Sequence, residues 1–333
     1  MGAMKLHRVA IASLCLTVSV FASKPPSGSL RSTGTEDMLL MKRKPRWYNE
    51  VWSYQFLFDN GTQATLNYTY AKLGFKDPVC GADYSVAGFK GRNFSVGREY
   101  PEGRFQQQAN PFRVQIHPDM WMQGLPPASH RVRFATTKNE GFYLDLEFSR
   151  MVPGAALGNG TWGAGDGEIT MLLPIPSARV KGRMAIGKDT IAVEGWAVLE
   201  HIRQTALLAD ILRRSFRAYV PGDRPTYFSA FQEKSGAWSG FAIQWTAQGP
   251  QVLPAGQIGV QGAEGLAPPA AISLTTSDKR SLAFRRTSLV QSASILDGME
   301  GVTRWVVKQF VGDVQVSRGR TDQSGFYQYI AVK

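Results

Sequence analysis

Apolar and polar residues alternate along most of the chain from Trp47 onward. Trp52, Tyr54, Phe56 and Phe58 take every second position, with Ser53 and Gln55 between them. Asp59-Asn60-Gly61-Thr62 follows, a turn rich in residues that tolerate positive φ. Ala64, Leu66, Tyr68 and Tyr70 then alternate with Thr65, Asn67 and Thr69. Successive strand side chains point to opposite faces, so the two runs predict a β-hairpin with one aromatic face. Phe142, Leu144, Leu146 and Phe148 alternate with Tyr143, Asp145 and Glu147 in the same way, and Val132 and Phe134 with Arg131 and Arg133. Further strands are predicted over residues 168–173, 178–186, 190–199, 226–232, 240–246, 272–276, 303–310 and 326–332. A long all-β chain lined with aromatics forms a sandwich or a barrel, and a barrel of moderate size can enclose an apolar ligand.

One stretch changes period. Leu208, Ile211, Leu212, Phe216 and Tyr219 fall three and four apart, with Arg213, Arg214 and Arg217 on the other side. Residues 205–219 therefore predict one amphipathic helix, packed on a barrel or across its mouth. The chain is long enough for two domains. The boundary is placed near residue 180, giving domains 46–180 and 181–333.

The N-terminus reads as a targeting segment. Lys5 and Arg8 precede an apolar run of 13 residues, 9–21, and Ala22 closes a small-residue cleavage pattern. Residues 1–22 are thus expected to be a signal peptide, a retained anchor or an amphipathic membrane helix being the alternative. Residues 23–45, rich in Ser, Pro, Gly and Lys, read as a flexible leader. Export places the mature protein outside the cell or in the secretory lumen, or in the periplasm of a bacterium. Cys15 leaves with the leader, so Cys80 is alone and is expected to be buried. Asn60, Asn67, Asn93 and Asn159 head glycosylation sequons.

Composition matches a globular protein, at 43% apolar and 19% charged residues. The formal net charge of +12 favours anionic partners, and for an exported chain lipid headgroups are favoured over nucleic acid. Contact of Arg213, Arg214 and Arg217 with an anionic membrane surface is one reading; solvated basic faces are the other.

Motifs for common chemistries are missing. The four His show no metal-ligand spacing, and there is no P-loop and no G-x-S-x-G elbow. Gly158-Asn159-Gly160-Thr161-Trp162-Gly163 spells G-x-G-x-x-G, but without the strand and helix that would hold a pyrophosphate it reads as a loop. No cofactor and no metal are expected. The best titratable pair is Glu200-His201 at a strand end. Adjacent strand residues face opposite ways, so at most one of them enters an interior, where burial would tune it for general acid–base work. The alternatives are that both sit in solvent, or that Glu200 pairs with Arg203. Trp52, Tyr54, Phe142, Trp196, Phe241 and Trp245, with Phe56, Phe148 and Trp305, are the candidate walls of a ligand cavity; a filled core is the other use of such residues.

Residues 146–245 resemble the survival-factor-one family. The matching pieces are Leu146-Glu147-Phe148, then Gly158-Asn159-Gly160-Thr161, Met171-Leu172-Leu173-Pro174 and Arg179-Val180-Lys181-Gly182. Val193-Glu194-Gly195-Trp196, Gln204, Tyr227-Phe228-Ser229-Ala230-Phe231-Gln232 and Gly240-Phe241-Ala242-Ile243-Gln244-Trp245 continue them in order. The resemblance implies two lipocalin-like (calycin) antiparallel β-barrels packed together and a ceramide-like lipid as cargo. More distant relatives of this architecture include carotenoid hydratases and fungal pericyclases. The former resemble a strand ending in an acidic residue, His and then Trp; Glu200-His201 fit, and Arg203 stands at the Trp position.

Two functions follow. One is an exported binding or transfer protein for a lipid or another elongated apolar ligand. The other is a cofactor-free isomerase, cyclase or hydratase on a polyene or polyketide, with His201 or Glu200 moving a proton. A purely structural surface protein with filled barrels is a third reading.

Overall fold

The computed structural model describes residues 29–41, 47–74, 77–158, 161–164, 167–205, 212–234, 236–254, 257–263, 265–294 and 313–332. The first part of the chain forms β1 (Leu30–Ser32), β2 (Trp47–Phe58), β3 (Gln63–Leu73), β4 (Val79–Phe89), β5 (Arg92–Pro101), β6 (Gln106–Ala109) and β7 (Phe112–His117). It continues with β8 (Met120–Gln123), β9 (His130–Thr136), β10 (Phe142–Ser149), β11 (Ala155–Leu157), β12 (Thr161–Ala164), β13 (Gly167–Ile186) and β14 (Asp189–Gln204). The second part forms β15 (Leu212–Val220), β16 (Thr226–Glu233), β17 (Trp238–Thr246), β18 (Gly249–Pro254) and β19 (Gln257–Gln261). β20 (Ala271–Thr275), β21 (Ser281–Ser294), β22 (Val314–Thr321) and β23 (Phe326–Val332) complete it. A 3-10 turn, Glu102–Arg104, joins β5 to β6.

The strands make two curled antiparallel sheets, the arrangement of two lipocalin-like barrels. The first runs β5-β4-β3-β2-β14-β13-β10-β9-β8-β7-β6, and the second β18-β17-β16-β15-β23-β22-β21-β20-β19. The opening hairpin stands as read from the sequence, with Trp52 opposite Tyr68 and Tyr54 opposite Leu66. The strands read over 168–173 and 178–186 are one long strand, β13, irregular between Leu172 and Ala178 where Pro174 and Pro176 remove ladder donors. The expected boundary near residue 180 falls inside β13; the sheets change between Gln204 and Leu212.

The helix expected over 205–219 is corrected. Residues 212–220 are strand β15, paired on both sides with β16 and β23; residues 206–211 lie outside the described residues, as do 303–310. Phe216 and Ala218 enter the second barrel, while Ser215, Arg217 and Tyr219 turn the other way. Both faces of β15 are buried, so the strand lacks the simple in–out alternation that marks a surface strand.

Among the described residues, three large apolar clusters result. One fills the first barrel, around Trp52, Tyr54, Tyr68, Tyr84, Phe134 and Leu144. One fills the second, around Phe216, Phe228, Phe284 and Tyr329. The third is a seam where the outer faces of β2, β13 and β14 meet β15, β16, β17 and β23, through Leu57, Met171, Val198, Ile202, Tyr219, Tyr227, Phe241 and Phe326. β14 therefore separates two interiors: Ala197 and Leu199 belong to the first barrel, Val198 and Ile202 to the seam.

The segment expected to be a flexible leader is ordered between residues 29 and 41. β1 pairs with β11, and the chain then crosses Gly154, where a Cβ would stand 2.1 Å from Thr33 Oγ1 and 2.6 Å from the carbonyl oxygens of Leu173 and Pro174. Only glycine admits that crossing. A turn follows, closed by Arg31 holding Asp37 through two bonds of 2.7 and 2.8 Å. Met38 and Leu40 then insert into the first barrel's core. The Met-Leu-Leu triplet outweighs the polar composition around it, because burying each such side chain contributes about 1.5–3 kcal/mol.

Candidate functional site

Glu200 and His201 are both fully buried, on opposite sides of β14. Glu200 enters the seam. Arg217 Nη1 donates to it at 2.5 Å, Tyr219 Oη at 2.9 Å and Tyr227 Oη at 3.0 Å. Arg217 also bonds Gln328. The Glu200 partner is thus Arg217, not Arg203. Burial opposes the Arg217 charge, but the Glu200 carboxylate overrides it and holds the guanidinium protonated.

His201 enters the first barrel at the end formed by the start of β2, the end of β3 and the Glu102–Arg104 turn. Register explains its neighbours. His201 lies opposite Trp52 and Arg203 opposite Glu50, so the imidazole stacks on the indole at 4.4 Å between centroids and Arg203 Nε donates to Glu50 Oε1 at 2.8 Å. His201 Nε2 stands 2.9 Å from Glu50 Oε1, off the axis of a well-aligned hydrogen bond. Tyr48 Oη also donates to Glu50. Phe105 stacks on Trp52 at 5.9 Å, and Tyr70 donates to Glu102 at the rim.

The segment 37–41 covers this cluster with main-chain groups. His201 Nδ1 lies 2.5 Å from the Asp37 carbonyl, which fixes the proton on Nδ1. Trp52 Nε1 donates to the Met38 carbonyl at 2.9 Å and Arg203 Nη2 to the Leu39 carbonyl at 2.9 Å. The Met41 amide donates to Glu50 Oε2 at 3.1 Å, and the Leu40 amide to Gln107 Oε1 at 2.7 Å.

The electrostatics set an ionised carboxylate beside an imidazole held neutral. Burial opposes the Glu50 charge, but His201, Arg203 and the Tyr48 hydroxyl together hold its carboxyl below the ordinary range. Burial and the Arg203 charge push the His201 imidazole down, against the pull of Glu50. With Nδ1 committed to a carbonyl, Nε2 is the position that takes up or gives a proton, beside an anchored carboxylate. Such a pair can act as general base or general acid without a metal or cofactor. Among the described residues, no group of three or more His, Cys, Asp or Glu side chains is placed to hold a metal ion.

His130, also in the first barrel, is a different case. Tyr54 Oη donates to Nε2 at 2.7 Å and Nδ1 donates to the Gly124 carbonyl at 2.7 Å. Both nitrogens are committed, and burial pushes the imidazole down to about 4. This is a core histidine.

The candidate aromatic walls do not line one cavity. Trp52, Tyr54 and Phe142 face the first barrel, Phe241 and Trp245 lie in the seam, and Trp196 lies outside under Arg179, 5.0 Å from its guanidinium carbon. Trp305 is outside the described residues. Trp52, Tyr54, Tyr68 and Tyr84 are each 0% exposed, so protein atoms surround their rings with no water-sized gap. The expected open hollow at these residues is a packed wall with the 37–41 segment in place. Cys80 is free and buried, its thiol pushed up to about 12 by that burial. Among the sequons, Asn60 and Asn93 are exposed, Asn159 lies outside the described residues, and Asn67 is corrected: its side chain is buried in a bond to Asp83 at 2.9 Å. On the basic cluster, Arg217 is wholly buried, which removes it from any membrane-facing surface. Glu50 was not singled out in the sequence, although it shares the inward parity of Trp52 and Tyr54.

No family model matches the chain, and no curated protein sequence does. Solved structures do. A candidate AttH protein from Nitrosomonas europaea superposes with a TM-score of 0.61 at 13% identity, over 86% of this chain and 92% of that one. CghA, crystallised with Sch210972, gives 0.59 at 10% identity over 94% and 96%. Kievitone hydratase from Nectria haematococca gives 0.51 at 12% identity over 92% and 97%. These likenesses extend across both barrels and show the fold.

Proposed function

We propose that the chain is a cofactor-free acid–base enzyme acting on an elongated, largely apolar small molecule at the mouth of the first barrel. The observation that carries this reading is the buried Glu50–His201 pair, with one imidazole nitrogen fixed and the other free to exchange a proton. A charged cluster inside an apolar core costs stability, and a perturbed imidazole–carboxylate pair of this kind is a functional-site candidate. Hydration or isomerisation needs a proton moved to or from carbon, and His201 Nε2 is the group for it. Glu50 orients the ring and offsets the charge of the imidazolium; Arg203 supplies positive charge for an oxyanion forming beside it. Trp52 offers a flat face for an unsaturated chain. The likeness to kievitone hydratase supports a reaction on a small molecule within this architecture. The targeting pattern at the N-terminus adds export to the proposal.

The test is consumption of a native ligand. Apolar extracts of the source organism, incubated with the protein and separated chromatographically, lose one component and gain one product. His201→Gln leaves the extract unchanged, while Arg214→Ala, on the far side of β15, does not impair conversion. A protein that binds one component and returns it unaltered is a carrier, and that outcome sinks the enzyme reading.

A further inference from the structure

Taking the barrel mouth as the ligand site, the segment Asp37–Met41 shows what chemistry that site holds. It already contains an occupant. Three donors of the site, His201 Nδ1, Trp52 Nε1 and Arg203 Nη2, are met by three successive main-chain carbonyls, those of Asp37, Met38 and Leu39. Two acceptors face the segment: Glu50 receives the Met41 amide and Gln107 the Leu40 amide. Met38 and Leu40, at 1% and 5% exposure, fill the apolar space between these contacts. Without the segment, His201 Nδ1, Trp52 Nε1 and Arg203 Nη2 lose these acceptors, and Glu50 loses one donor while keeping Arg203 and Tyr48.

We infer that Asp37–Met41 is an internal stand-in for the ligand, and that the ligand displacing it is an apolar chain bearing a hydroxy- or enol-carbonyl array. Two or three acceptor oxygens within about 7 Å, the reach of two residues of extended chain, replace the three carbonyls. One hydroxyl or enol donor replaces the Met41 amide on Glu50. Two apolar arms take the places of Met38 and Leu40. A plain hydrocarbon matches the apolar part and leaves every donor unmet, so the site discriminates against it. The same displacement opens the mouth to the Glu50–His201 pair, which couples ligand entry to exposure of the proton-transfer group.

The test uses two fluorescent probes of similar reach: curcumin, a rod with an enolised 1,3-dicarbonyl centre, and diphenylhexatriene, a rod without oxygen. The full chain carrying Met38→Asp with Leu40→Asp, which unseats the segment, is expected to bind curcumin at least ten-fold tighter than the unaltered chain and to gain far less for diphenylhexatriene. Equal gains for both probes, or no gain for curcumin, overturn the inference. Should the double variant fail to fold, hydrogen exchange on the unaltered chain decides. Saturating curcumin is expected to strip protection from the Leu40 and Met41 amides, and retained protection with curcumin bound, or no curcumin binding at all, overturns it. Neither readout requires turnover, so an inert Glu50–His201 pair leaves this inference standing and fails only the enzyme reading.

Discussion

β14 carries a buried carboxylate cluster on each of its faces. On the seam side Glu200 meets Arg217, Tyr219 and Tyr227; on the barrel side Glu50, reached across the ladder, meets Arg203, Tyr48 and His201. Each has a buried carboxylate, an arginine and at least one tyrosine. Two things separate them. The barrel cluster includes an imidazole, and its cover is a short segment of main chain instead of a second sheet. The seam cluster as bonded around Glu200 has no imidazole, and both of its walls are sheets. Burial and charge alone therefore do not mark a working site. The proposed function rests instead on a proton position under a main-chain cover, and the seam cluster is read as the ion pair between the two barrels.

The largest expected effect breaks the seam. Arg217→Met strands the Glu200 charge and is expected to cost about 3–5 kcal/mol in chemical denaturation, most of it recovered when Glu200→Gln is added. Full stability in the single variant contradicts the seam assignment. Next, His201→Gln keeps the fold and is expected to lower turnover by about 10²–10⁴-fold, whereas Glu200→Gln changes turnover little once folded. Equal losses would erase the distinction between the two faces.

pH sharpens the contrast within the first barrel. His130 is held neutral down to about 4 in the folded chain, against an ordinary value of 6.5. Below 6.5 the unfolded chain takes up a proton that the folded chain refuses. His130 therefore removes stability as pH falls from 6.5 to 4, by about 3 kcal/mol in total. His130→Gln is expected to flatten that part of the acid-denaturation curve without changing turnover. The smallest effect belongs to Asp83, whose carboxyl burial pushes up to about 7. The unfolded chain loses that proton near 3.8, so stability falls as pH rises from there to 7. Asp83→Asn is expected to stabilise the protein at pH 8 by about 1–2 kcal/mol, reduced because the side chain is partly open to solvent. A neutral or destabilising effect at pH 8 counts against that charge being unwelcome there.

Much of the fold was legible because one-sided strands announce themselves. The Trp52–Tyr70 hairpin and the Phe142–Phe148 strand follow from parity alone. β15 was not legible in this way, because Phe216 serves the second barrel and Tyr219 the seam, and a strand buried on both sides shows apolar residues at spacings that also fit a helix. His201 was found as half of an adjacent pair, and its separation from Glu200 followed from strand parity. Glu50 carried a usable signal, a carboxylate at an inward position between Tyr48 and Trp52, in the strand that opens the chain's clearest hairpin. The covering segment was masked by its surroundings: Ser, Pro, Gly and Lys dominate the stretch, and only Met38-Leu39-Leu40 marked it as a piece of core. Its hydrogen bonds use main-chain groups, which no side-chain pattern encodes.

Solvent deuterium labelling tests the central claim most directly. The ligand recovered from the native source is incubated with the protein in heavy water and analysed by mass spectrometry. The account predicts that carbon-bound deuterium enters the ligand or its product with the unaltered chain and not with His201→Gln. Deuterium entering equally with both chains, or with neither, would contradict it.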